Sequence, residues 1–211
     1  MKFLAFDGGI HRFLERVFDL MLLNFLWILT CLPIFTIGVA STALYSVLLK
    51  MARNEEGYIF KNYIKAFKEN FKRASLIWLC FLLILAWLVF MIRISIFSGN
   101  GFLKILALAE VAILLIVVSA LAYVFALQAR YENTMVSTIQ NAFILSLSYF
   151  PHSLALLLLW ILPIVITAYS KSAYAILLFL WIFIGVSMLF FASAKILMQV
   201  FEREEKKGEN K

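Results

Sequence analysis

Cysteine, histidine, proline and acidic side chains are all scarce here, and each shortage removes a class of function. Cys31 and Cys80 are the two cysteines. Each sits inside an apolar run, too few for a disulfide framework or a thiolate metal site, and both read as packing residues. His11 and His152 have no carboxylate or nucleophile at a recognisable spacing. No GxSxG, HExxH, Walker or GxGxxG pattern occurs, and the lone Gly8-Gly9 pair follows no strand. The few polar groups assemble no paired acids and no Ser or Cys with its base, so no catalytic, metal-ligating or cofactor-binding residue is expected and the chain reads as a non-enzyme. Charged residues make up 15% of the 211 positions and hydrophobic ones 64%. With a mean hydropathy of +0.98, this is more apolar surface than a soluble fold of that length can hide.

What is present is a series of long apolar runs. A spanning helix needs about 20 mostly apolar residues, because the hydrocarbon core is about 30 Å thick and each residue rises about 1.5 Å. Spans are expected at about 74–97, 102–127, 152–169 and 172–198, parted by Ser98-Gly99-Asn100-Gly101, by the stretch Gln128 to Pro151 and by Ser170-Lys171. The apolar stretch from Val17 to Leu49 is too long for one crossing, and Pro33 and Gly38 mark where it turns. Two spans, about 13–32 and 36–51, are favoured over a kinked span running into an interfacial helix. The expected architecture is an all-α polytopic transmembrane bundle of six spans, with five as the alternative.

The net charge of +7 is carried by loops and tails, which a membrane explains more simply than nucleic acid. Six spans place 16 of the 19 basic residues on one side, with Arg93, Lys104 and Lys171 on the other. The positive-inside rule then assigns both termini, the two longer loops and a tail at 199–211 to the cytoplasm. Cleavage after the small residues Ala40 to Ala43 would turn the basic loop outward, so the N-terminal segment is expected to be retained.

That basic loop carries Lys50, Arg53, Lys61, Lys65, Lys68, Lys72 and Arg73. Within it Phe60, Tyr63, Ile64, Phe67 and Phe71 share one helical face, and Lys61, Lys65, Lys68 and Lys72 the opposite one. An amphipathic interfacial helix over 57–73 follows, its aromatic face in the headgroup boundary and its lysines on anionic lipid or a partner. A second interfacial helix is expected over 133–149. Val136, Ile139, Phe143 and Leu147 repeat the template 76 residues on, which admits a parallel duplication.

Intramembrane polar groups are costly and often functional. Glu110 is the leading candidate, expected to meet Arg93 across the tight turn as a structural ion pair, or to serve as a substrate or proton site. Asp19 and Asn24 come next, as interhelical hydrogen-bonding groups.

The run Asn24-Phe25-Leu26-Trp27, Leu32-Pro33, Thr36-Ile37-Gly38, Thr42-Ala43-Leu44-Tyr45, Glu55-Glu56-Gly57 and Phe67-Lys68-Glu69-Asn70-Phe71-Lys72 closely resembles the YesL-like family of bacterial membrane proteins. Ala129-Arg130-Tyr131 and Asn141-Ala142-Phe143 extend the likeness into the second half. The resemblance implies a protein of the bacterial plasma membrane whose family has no assigned activity. It also implies a genomic association with sugar permeases, glycoside hydrolases and two-component sensors, and carries over no catalytic residue. Two functions are weighed: an accessory subunit that binds a sugar permease or sensor kinase through the basic helix, and a small transporter or channel for a sugar or ion, with Glu110, Arg93 or Asn24 along its path.

Overall fold

The computed structural model describes residues 9–55, 57–98, 100–169 and 174–209. Gly8, Gly99, Lys171 and Lys211, and with them the break expected at Ser170-Lys171, lie outside the described residues. Helix α1 (Gly9–Thr30) leads through Pro33 and a short 3-10 turn (Ile34–Thr36) into α2 (Ile37–Ala52). Helix α3 (Ile59–Phe97) and α4 (Gly101–Arg130) form a long hairpin, and α5 (Met135–Ser148) turns directly into α6 (Phe150–Tyr169). The final limb runs through α7 (Tyr174–Leu180), a π-helical segment (Trp181–Gly185) and α8 (Val186–Glu209).

Among the described residues, five segments are long and apolar enough to cross a membrane: Ile34–Ala52, Ile59–Phe97, Gly101–Arg130, Phe150–Tyr169 and Ala175–Lys207. Helix α1 has the length but carries Arg12, Glu15, Arg16 and Asp19. The more heavily charged member of the N-terminal pair is therefore the first. Helix α2 is the hub. Of its apolar window 72% is buried, against 11 to 22% in the other four segments. Its small residues explain the seat: a Cβ on Gly38 would stand 2.5 Å from Trp78 Cβ and 2.6 Å from the Ala74 carbonyl. No larger residue permits this approach of α2 to α3. Helix α2 ends on Asn54, whose positive φ of 57° reverses the chain and lets Glu55 N–H donate to the Lys50 carbonyl. Arg16 of α1 donates to the Asn54 side chain and fastens the same turn.

One expectation about segmentation is corrected. Residues 57–73 do not form a separate interfacial helix, because α3 continues without a break from Ile59 through the expected span to Phe97. At 1.5 Å per residue these 39 residues make a rod of about 58 Å. Tyr63, Ala66, Ala74, Ile77 and Phe81 are buried along one stripe, and this shared face holds the basic part in line with the apolar part. Residues 199–209 are helical and continue α8. Helix α5 does stand as a separate element inside 133–149. It buries Thr138, Ala142 and Ser146 and stacks Phe143 on Phe81, their centroids 6.3 Å apart.

Candidate functional site

Lys61, Lys65, Lys68 and Lys72 all project from α3 into the open. Lys65 lies 3.9 Å from Glu69, an exposed pair worth a few tenths of a kcal/mol at most. The aromatic residues divide. Tyr63 is fully buried and donates to or accepts from Thr30 Oγ1 at 2.6 Å, while Phe67 is half-buried. Phe60 and Phe71 are exposed, at 56% and 39%. Phe67 bridges Tyr63 and Phe71, with centroids 6.4 and 5.7 Å away. The helix thus has a locked face, an aromatic flank that ends in the open, and a cationic face.

The intramembrane candidates are not brought together. Glu110 accepts from Ser95 Oγ at 3.2 Å, and its other carboxylate oxygen is buried without a partner. Arg93 is exposed and does not reach Glu110, so the expected ion pair is absent. The reason is angular: Arg93 and Ser95 are two residues apart, about 200° around a helix, and α4 meets the Ser95 side. Asn24 is fully buried and belongs to another arrangement. Its amide donates to the carbonyls of Trp181 and Ile182 at 3.1 and 2.6 Å, and its oxygen accepts from Ser187 N–H at 2.9 Å. Ser187 Oγ in turn donates to the Leu20 carbonyl. A π segment frees backbone groups that hydrocarbon cannot satisfy, and α1 supplies the replacement. Asp19 lies half-buried on the same helix.

A charged clasp escaped the sequence reading. Arg130 at the end of α4 donates to both carboxylate oxygens of Glu205 at 2.9 and 2.8 Å, and Tyr131 donates to the same group at 2.6 Å. The guanidinium also lies 5.5 and 5.3 Å from the ring centroids of Tyr131 and Phe201. Burial and the hydrogen bond to Glu205 push the Tyr131 phenol above its ordinary range. One residue earlier on α8, Glu204 accepts from Tyr149 and from Lys207. The signal was the Ala129-Arg130-Tyr131 motif together with the adjacent acids Glu204 and Glu205 in a C-terminal segment of mixed charge. A neutral chain joins the same region: Thr138 donates to Gln128 and Gln128 donates to Asn70, tying α5, α4 and α3 together.

Long apolar helices around a buried hub, with charge gathered outside the apolar runs, define a multi-pass α-helical membrane protein. Residues 20–92 match a family model described as "Protein of unknown function, DUF624", a match that spans the second half of α1, all of α2 and most of α3. The Asn24, Gly38 and basic-helix motifs fall within it. No curated protein and no solved structure matches the chain.

Proposed function

We propose that this chain is a non-enzymatic accessory subunit of the bacterial plasma membrane, crossing six times with both termini in the cytoplasm, and that the cationic face of α3 docks a membrane partner. The observation that carries this reading is the geometry of α3. Its stripe Tyr63, Ala66, Ala74 is locked into the bundle while Lys61, Lys65, Lys68 and Lys72 stand exposed on the same rigid rod. Such a face attracts acidic protein surface or anionic lipid, each lysine near a charged membrane contributing about 1 kcal/mol. The resemblance to the YesL-like family directs the choice of partner toward a sugar permease or a sensor kinase.

The alternative, a small transporter or channel for a sugar or ion, has less support. Asn24 is committed to the π segment, Arg93 faces away from Glu110, and Glu110 is bonded to Ser95 within its own hairpin. Affinity recovery of the tagged protein from crosslinked native membranes tests the docking reading. Changing Lys61, Lys65, Lys68 and Lys72 together to Glu is expected to abolish enrichment of the partner while leaving membrane insertion intact. Undiminished enrichment refutes it, and uptake by purified protein in liposomes that is lost in Glu110→Gln would put transport in its place.

A further inference from the structure

We propose that the cavity walled by Trp27, Trp78 and Trp160 is a seat for one lipid acyl chain. It measures about 460 Å³ and lies where α1, α2, α3, α4, α6 and α8 meet. Its floor is rigid and aromatic: the buried Phe190 ring stands 5.9, 4.9 and 5.0 Å from the rings of Trp27, Tyr45 and Trp160.

The lining presents no spare hydrogen-bonding group from its indoles. Trp27 Nε1 donates to Ser41 Oγ at 3.3 Å, Trp160 Nε1 to Ser193 Oγ at 3.2 Å, and Trp78 Nε1 to the Ile34 carbonyl at 2.8 Å. Besides the indoles only the Ser41 and Tyr45 hydroxyls are polar in the lining, too few to replace the hydration of a sugar or an ion. Water needs two to four polar partners, and a dry cavity of about 150 Å³ already takes up benzene. The space here is about three times that size.

The rim identifies the occupant. Leu115 on α4 and Ile161 on α6 are exposed and belong to helices long and apolar enough to cross a membrane. The mouth therefore opens on hydrocarbon, and the molecules that meet it are acyl chains. Fixed indole walls, each held by its own hydrogen bond, distinguish this seat from the mobile surface on which annular lipid exchanges.

The test uses the intact protein in bilayers containing a phosphatidylcholine with a diazirine on its acyl chain, photolysed and mapped by peptide mass spectrometry. Labelling is expected to concentrate on Leu114–Ala122 and Leu157–Ile161, several-fold above the exposed α3 face from Leu83 to Phe90. Ala122→Trp, which fills the cavity, is expected to remove the excess; Val118→Trp nearer the mouth serves the same purpose should the first variant fail to fold. Even labelling of all lipid-facing surfaces in the wild-type protein overturns the proposal, leaving annular lipid only. So does an excess that persists in a folded, filled variant, or an unlabelled cavity in which a second copy of the chain is crosslinked.

Discussion

At Gly38 the distance from helix to helix is set by one hydrogen atom. A methyl group there meets the Ala74 carbonyl and the Trp78 Cβ well inside van der Waals contact, and neither is the movable end of a side chain. Gly38→Ala is expected to cost about 1–3 kcal/mol, the range for overpacking a dense interior. Thermal unfolding in detergent checks it as a lowered Tm. Asn24 stabilises by satisfaction rather than by bulk. Asn24→Leu keeps the number of side-chain heavy atoms but removes the donor to the two π-segment carbonyls and strands the Ser187 N–H, a buried unpaired group costing about 1–3 kcal/mol. Its signature is faster hydrogen exchange confined to residues 181–187. Asn24 was recognisable as a polar residue in an apolar run, but its partners lie 157 and 158 residues away and nothing local announces them. Glu110 was singled out on charge, and charge alone pointed to Arg93. The helical phase, which turns Arg93 away and Ser95 inward, would have chosen differently.

Among the elements, α3 matters most because it couples two environments along one axis. The phase of its basic segment was legible in the spacing of Phe60, Tyr63, Phe67 and Phe71 against the lysines. Its continuity was not, since a change from amphipathic to wholly apolar at Ala74 reads alike for a bend and for a straight helix. Burial on a common stripe from Tyr63 to Phe81 decides the matter. Arg73→Pro should break that rod at a cost of about 3 kcal/mol. Partner recovery through the lysines is expected to fall although none of them is altered, and the apolar half should stay inserted. If recovery is unchanged, rigidity between the halves is irrelevant to docking. The π segment at Trp181–Gly185 also left no trace beyond one glycine, because an extra residue per turn has no hydropathy pattern of its own.

For the whole molecule, the fold class and the apolar segments followed directly from hydropathy, whereas the central place of α2 did not. Its Gly, Ser, Thr and Ala content lowers its hydropathy to 1.6, below the 2.0 to 2.8 of the others, and that content is what close packing requires. The clasp at Arg130 closes the bundle by joining α4 to α8. Glu205→Gln is expected to weaken it by about 1.5–3 kcal/mol, toward the lower figure because Glu205 is 45% exposed. Limited proteolysis should then cut sooner within residues 199–209.

The burial of α2 also has a consequence in time. Ribosomes release this helix well before α8, which carries Phe190 against Tyr45 and forms part of its walls. During elongation α2 is part of the least apolar of the five segments and lacks a later neighbour, exposed to whatever quality-control protease inspects the membrane. A chain lacking residues 174–209 should accordingly be degraded from its N-terminal hairpin, far in sequence from the deletion, as pulse-chase labelling would reveal.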